Sequence, residues 1–122
     1  MDLDVLTAEL FQHFTNQDFH GVREMFTPDA KVKQNGNPEH GVEGLITMIK
    51  GLQRDGVRVE YSNVRRSVGD HFVVEQHIVR LTRADGVSAA CDVCFVVCFD
   101  PSGLISRLDE YVDTAAFASL LG

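Results

Sequence analysis

The chain is poor in positive charge. Its 122 residues hold only 11 Lys and Arg against 18 Asp and Glu, which gives a formal net charge of −7. A surface of this sign repels phosphate backbones, and the nearest basic cluster is the pair Arg65-Arg66, well short of the several cations that phosphate binding takes. We therefore expect no nucleic-acid partner.

Long apolar segments are also missing. The apolar run from Phe95 to Phe99 stops at Asp100, far short of the ~20 residues that cross a bilayer. The first residues, Met1-Asp2-Leu3-Asp4, are acidic and lack the cationic and apolar regions of a signal peptide. We expect a cytoplasmic protein with no membrane partner.

Cysteine is scarce as well. Cys91 and Cys94 have the Cys-x-x-Cys spacing of metal and redox sites, but they lie in a β-branched and aromatic run whose side chains alternate between faces. Cys94 and Cys98 share a face, yet four residues of strand put them ~13 Å apart, beyond disulfide reach. We interpret all three as buried reduced thiols, and we expect no metal and no organic cofactor.

What the chain does have is enough apolar residues, 44% of the total, for one core. A length of 122 residues suits one domain, and we take residues 1–122 as that domain. Charged residues of both signs make up 24%, which is typical of a folded globule and not of a disordered chain.

The first half of the chain has helical periodicity. Apolar residues recur at three- and four-residue steps from Leu3 to Phe14, which predicts an amphipathic helix. After a polar break a second, short helix is predicted from Phe19 to Phe26, and a third from Val42 to Leu52. Between the second and third helices, the residues Thr27-Pro28-Asp29 favour a turn, and Ala30 to Gln34 are predicted to form a short strand.

The second half of the chain has the residue pattern of β-strands. Four segments either alternate apolar and polar residues or are continuously apolar: Val57–Val68, Phe72–Arg83, Ser88–Phe99 and Leu104–Val112. Turns with Gly and Asp separate them, which predicts an antiparallel meander. Asp113 then caps a last short helix. Helices followed by strands indicate an α+β fold, with the helices on one face of a curved sheet.

The strand from Ser88 to Phe99 has no ordinary solvent face. One side carries Val93, Phe95, Val97 and Phe99, and the other carries Asp92, Cys94, Val96 and Cys98. Because the helices are too few to cover both faces, we expect a homodimer through the outer face, formed by Val93, Phe95, Val97 and Phe99.

Three segments carry a resemblance to a known family. Phe26-Thr27-Pro28-Asp29-Ala30 closes the helical hairpin, and Gly103-Leu104-Ile105 leads into Glu110-Tyr111-Val112-Asp113. Over nearly the whole chain this order resembles the SnoaL-like branch of the nuclear transport factor 2-like superfamily. The resemblance implies a cone-shaped α+β barrel, with N-terminal helices packed on the concave face of a curved, mainly antiparallel sheet, around an apolar pocket.

The resemblance also implies which side chains face that pocket. Register by the Gly103 turn puts Leu108, Glu110 and Val112 inward. The same register points two further groups inward, Asp92, Cys94, Val96 and Cys98 on one strand and Gln76, Ile78 and Arg80 on the next. Glu75 and His77 would then face outward, where a subunit interface would bury His77 in a structural hydrogen bond.

Glu110 is the strongest catalytic candidate, because desolvation in an apolar pocket raises a carboxyl pKa toward values useful for proton transfer. Its position matches the water-activating aspartate of limonene epoxide hydrolase-like enzymes. The alternative is an ordinary salt-bridged strand glutamate. Asp92 either pairs with Glu110 as acid and base or lies solvated at the rim.

The family's catalytic patterns are matched only in part. Where the hydrolases have a tyrosine and an asparagine, this chain has Lys33 and Asn35. Near the positions of the hydrolases' arginine and second aspartate, it has Gln76 and Ile78. For ketosteroid isomerases, Gln34 takes the place of the base and Cys94 that of a protonated acid. Arg80 would lie at the pocket mouth, where it can hold an anionic substrate.

Two functions therefore remain open. One is an enzyme for isomerisation, cyclisation or hydrolysis that uses Glu110 for proton transfer on a small apolar molecule. The other is a non-catalytic ligand-binding or dimeric interaction module. A transport adaptor is a third class that nothing in the residues favours.

Overall fold

The computed structural model describes residues 1–121 of the chain. The helices and strands, in chain order, are α1 (Leu3–Asn16), α2 (Phe19–Glu24), β1 (Phe26–Gln34), α3 (Val42–Arg54), β2 (Arg58–Val68), β3 (Phe72–Thr82), β4 (Ser88–Phe99), β5 (Ile105–Val112), a 3-10 turn (Thr114–Phe117) and α4 (Ala118–Leu121). The three predicted N-terminal helices and the four predicted long strands are all present.

Two aspartates begin the first two helices. The carboxylate of Asp2 accepts the Val5 amide proton at 3.1 Å, and that of Asp18 accepts the Gly21 amide proton at 2.9 Å. Each satisfies one of the amides that a helix start leaves without a partner. Between them, Gln17 adopts a left-handed φ of 56°, which ends α1 and turns the chain into α2.

The strands form one sheet in the order β1-β5-β4-β3-β2. The predicted meander supplies four antiparallel strands, and β1 adds a fifth that runs parallel to β5. The prediction of a turn at Thr27–Asp29 and of helix at Phe26 was wrong, because β1 already begins at Phe26. The pairing of β1 with β5 is irregular between Phe26 and Lys31, where Pro28 lies, as expected for proline in an edge strand.

Helices α1, α2 and α3 pack against one face of the sheet, which we call the inner face. Phe11 of α1 contacts Phe95 and His77, with ring centroids 5.0 and 5.1 Å away. Leu45 and Ile46 of α3 complete the same core cluster. The predicted fold class, helices laid on the concave face of a curved and mainly antiparallel sheet, is confirmed.

The two faces of β4 are the reverse of those predicted. Val93, Phe95, Val97 and Phe99 are buried beneath the helices, while Asp92, Cys94, Val96 and Cys98 lie on the outer face. In β3, Glu75 and His77 likewise face inward and are 1% and 2% exposed. The dimer interface expected at Val93, Phe95, Val97 and Phe99 was therefore wrong, since these residues form the core.

One extra residue in β5 explains the reversal. Next to the turn Phe99 pairs with Ile105, but one step further Cys98 pairs with Arg107, so Ser106 has no partner in β4. A bulge of this kind moves every later pair by one residue and exchanges the faces. As a result Glu110 lies opposite Phe95, and not opposite Cys94 as an unbroken ladder from the turn would place it.

The cysteines are half-buried and free, which corrects the prediction of full burial. Cys91 pairs with Val79 on the inner face, whereas Cys94 and Cys98 lie on the outer face. Burial raises the pKa of the Cys91 and Cys98 thiols. No helix within residues 1–121 combines the length and apolar character that membrane crossing requires.

The exchange of faces predicts opposite results for two adjacent substitutions. Phe95→Asp buries a carboxylate in the core and should destabilise the fold by at least ~3 kcal/mol, the typical loss for a large core aromatic. Val96→Asp places the same charge on the outer face and should leave the monomer folded. Urea unfolding followed by circular dichroism compares them, and a greater loss in Val96→Asp would contradict the register.

Candidate ligand pocket

A cavity of about 340 Å³ lies between the inner face of the sheet, α3 and the C-terminal turn. Its wall is mostly apolar, and the side chains that α3 and the sheet contribute include Leu45, Met48, Ile49, Leu52, Val79, Leu81, Val93, Phe95 and Val112. The volume falls at the lower end of the range typical of small-molecule sites. The cavity suits a mainly apolar ligand.

Polar side chains also line the cavity, and four of them lie at inward positions of the sheet. Gln34 comes from β1, Tyr61 from β2, His77 from β3 and Glu110 from β5. Each sits at an inward position of its strand, and Phe95 of β4 lies between the strands of His77 and Glu110. In most binding sites, a small number of polar groups on a largely apolar wall orient the ligand.

Glu110 is held by the end of β1. Gln34 is its partner in the parallel register, and the Gln34 amide donates to the Glu110 carboxylate at 2.5 Å. Burial raises the pKa of Glu110, and the hydrogen bond from Gln34 opposes that rise. The group therefore keeps its proton to a higher pH than a solvated glutamate and can act as an acid or a base.

Asn35 supports this strand end from outside the cavity. Its side-chain amide donates to the Val112 carbonyl at 2.8 Å and accepts from the Val112 amide at 3.0 Å, and its own backbone amide donates to the Glu110 carbonyl. These contacts occupy both of its side-chain groups. The expectation that Asn35 binds ligand is therefore replaced by a role in holding β5.

Tyr61 is the second polar group in the wall. Burial raises the pKa of its hydroxyl well above its ordinary value, and the negative charges of Glu110 and Glu75 raise it further. The hydroxyl therefore stays protonated. It can donate a hydrogen bond to an oxygen atom of a bound molecule.

His77 was assigned to the wrong face by sequence reasoning. It lies on the inner face with its Nδ1 2.6 Å from the Glu75 carboxylate, and Glu75 accepts from Arg66 at 2.6 Å. No sequence signal decides the face, because both sides of β3 mix apolar and polar residues. Val73, Glu75, His77, Val79 and Leu81 alternate with Val74, Gln76, Ile78 and Arg80.

A second cavity of about 220 Å³ meets the first at Glu110 and Gln34. Lys33, predicted to bind ligand, borders this second cavity together with Asn37, His40 and Leu108. Leu108 and Val112 both face inward, with Val112 on the wall of the larger cavity. Glu110 is thus reached from two sides.

Five predicted site residues lie on the opposite face of the sheet. Asp92, Gln76, Ile78, Arg80 and Cys94 all point outward and border neither cavity. Asp92 is exposed and cannot pair with Glu110, and Arg80 donates instead to the Ser88 hydroxyl at 2.9 Å. The Ser106 bulge is the common cause, because it exchanges the faces of β4 and, through regular pairing, of β3.

The same side chains also bear on metal binding. Over residues 1–121, no three His, Cys, Asp or Glu side chains are grouped to hold a metal ion. Among the described residues, Glu75 is the one neighbour of this kind at hydrogen-bond distance from His77.

Comparison with known proteins agrees with the fold. The sequence profile of the SnoaL-like domain family matches residues 7–108, and the chain belongs to that family. No curated protein matches the chain.

Solved structures with low sequence identity share the fold. A candidate polyketide cyclase from Xanthomonas campestris superposes with a TM-score of 0.84 at 14% identity, covering 98% of this chain and 96% of its own. A nuclear transport factor 2-like protein of unknown function from Burkholderia pseudomallei gives 0.80 at 20%, covering 99% and 98%. An epoxide hydrolase from Mycobacterium tuberculosis, of the limonene epoxide hydrolase-like type, gives 0.75 at 19%, covering 91% and 82%.

The raised pKa of Glu110 predicts the pH dependence of stability. A carboxyl whose folded-state pKa exceeds its ordinary value of 4.5 stabilises the fold below that value, and this contribution is lost as pH rises through the folded-state pKa. Glu110→Gln should therefore match or exceed the wild type in melting temperature at pH 7, with the gain shrinking toward pH 4.

Glu43 provides the control of opposite sign. Its carboxylate accepts from Arg23 at 2.7 and 2.9 Å, and this contact lowers its pKa. Glu43→Gln should lower the melting temperature slightly at pH 7 and leave it unchanged in acid. A Glu110→Gln variant that behaved like Glu43→Gln would show that Glu110 is a structural ion-pair residue.

Proposed function

We propose that this protein binds a mostly apolar small molecule in the larger cavity and uses Glu110 to transfer a proton to or from it. The observation that carries the proposal is a carboxyl group with a raised pKa inside an apolar cavity of molecular size. Proton transfer of this kind serves isomerisation, cyclisation and hydrolysis alike, so the proposal covers the reaction type and not one reaction.

The neighbours of Glu110 fit this role. Gln34 donates to one carboxylate oxygen and so orients the group toward the cavity. The protonated hydroxyl of Tyr61 lies on the same wall and can stabilise negative charge that develops on a ligand oxygen. Together they give one proton-transfer group and one fixed donor.

A non-catalytic ligand-binding module is the second candidate. It is favoured by the loss of the expected partners of Glu110, because Asp92 points away from the cavity and Gln34 cannot act as a base. Because of the Ser106 bulge, Val79 and not Ile78 faces inward on β3. Neither residue has an acidic side chain that could replace the second aspartate of the hydrolases. A chain that had kept only the pocket would show this pattern.

Deuterium exchange separates the two candidates. The probe is 2-tetralone, a bicyclic ketone with exchangeable protons, incubated with the protein in D₂O and followed by mass spectrometry. An enzyme should accelerate deuterium uptake, and Glu110→Gln should reduce that acceleration about 100-fold or more, because an amide cannot exchange the proton. Asp92→Asn, on the outer face, should retain the wild-type rate.

Two outcomes count against catalysis by Glu110. Exchange that persists in Glu110→Gln would assign the proton transfer to another group. Binding of 2-tetralone without any acceleration in the wild type, seen as chemical-shift changes at Val79 and Val112, would favour the non-catalytic module.

We also propose that a second copy of the chain covers the outer face of the sheet. The helices α1, α2 and α3 all pack on the inner face, and the centre of the outer face is mostly apolar, with half-buried Val74, Ile78, Cys94 and Val96 around the exposed Gln76. Charged residues of both signs, including Asp92 and Arg107, surround this centre. An apolar centre with a mixed polar rim is typical of a subunit interface.

Light scattering during size-exclusion chromatography tests the dimer. Val96→Asp should halve the molar mass, because a carboxylate at the centre of the interface would be buried without a partner. Thr82→Asp, at the rim of the same face, should leave the mass unchanged. A wild-type protein of monomer mass at micromolar concentration would refute the proposal.

A further inference from the structure

One buried nitrogen in the cavity wall has no hydrogen-bond partner in the described part of the chain. The side chain of His77 is 0% exposed, and its Nε2 makes no hydrogen bond to any described residue. A buried polar atom left unpaired destabilises the folded protein. Because His77 borders the larger cavity, a molecule bound there can supply the missing partner.

The other side of the ring determines what that partner must be. Glu75 accepts from Arg66 at 2.6 Å and also lies 2.6 Å from Nδ1 of His77. A carboxylate only accepts hydrogen bonds, so Nδ1 must carry a proton and donate it to Glu75. In a neutral imidazole this leaves Nε2 without a proton, as an acceptor.

The surroundings favour the neutral ring. Arg66 balances the charge of Glu75 at 2.6 Å, and the Asp4 carboxylate, 3.5 Å from the same guanidinium, is exposed to water that screens its charge. The ring itself is packed among Phe11, Tyr61 and Phe95, with centroids 4.7 to 5.5 Å away. A charged imidazolium in this aromatic setting would lose hydration, and the carboxylate that it contacts, Glu75, is already paired with Arg66. Glu110 is the other acid near the ring, and burial favours its neutral form.

We propose that His77 is a specificity residue of the cavity, whose Nε2 accepts a hydrogen bond from a hydroxyl group of an otherwise apolar ligand. Glu75 and Arg66 act through His77 as positioning residues, because they keep the proton on Nδ1. The inference rests on the proposed function in so far as the cavity binds a small molecule, but it does not depend on catalysis by Glu110.

A matched pair of probes tests the inference. 2-Naphthol carries a hydroxyl donor, and 2-methoxynaphthalene has the same ring system without one. The wild type should bind 2-naphthol about tenfold or more tightly, since the ether leaves Nε2 unpaired. In His77→Phe, which keeps an aromatic ring at this position, the two affinities should become similar. Gln76→Leu, one residue away on the outer face, should keep the wild-type preference.

Glu110→Gln separates this inference from the proposed function. It should change the affinities for both probes in parallel and leave their ratio as in the wild type. If the preference for 2-naphthol is lost in Glu110→Gln and retained in His77→Phe, Glu110 is the acceptor, and the His77 inference is overturned while the proposed function stands. An unchanged preference in His77→Phe overturns it as well.

The proton on the ring is measured independently of any ligand. Nitrogen-15 NMR of the histidine side chains should show His77 as the neutral Nδ1–H form in the wild type. Glu75→Gln should introduce the Nε2–H form and weaken the preference for 2-naphthol, which also provides a test if His77→Phe does not fold. A wild-type ring with its proton on Nε2 overturns the inference.

Discussion

The unpaired residue Ser106 sets the geometry on which the pocket depends. An extra residue in one strand of an antiparallel pair moves the rest of the ladder by one position, and in a sheet one position is a change of face. It allows Ile105 and Leu108, three residues apart, to be buried together. It also places Glu110 opposite Phe95, inside the cavity rather than beside the outer-face cysteines.

From that register the polar side chains of the pocket assemble. The parallel pairing of β1 with β5 brings Gln34 to Glu110, and Asn35 fixes the end of β5 through both groups of its side chain. On β3 the same face holds Glu75 and His77 in a network with Arg66. Buried polar groups are tolerated only when nearly all are paired, which makes the unpaired Nε2 of His77 informative.

The pocket therefore combines two kinds of chemistry. Glu110 has a pKa raised chiefly by burial, which suits proton transfer, while His77 is oriented by a carboxylate that is itself held by a cation. The two groups lie on different strands with Phe95 between those strands. A ligand that fills the apolar space between α3 and the sheet would meet both.

The sequence by itself determined the helices, the long strands and the fold class, because these depend on local periodicity and turn chemistry that neighbouring residues carry. It also singled out Glu110, whose strand position followed from the family resemblance. The faces of β3 and β4 were decided only by the tertiary structure. Both sides of each strand carry apolar residues, so the choice of face depends on a one-residue bulge in a different strand. Because of that bulge, Asp92 lies on the outer face and His77 on the inner face, the reverse of the prediction.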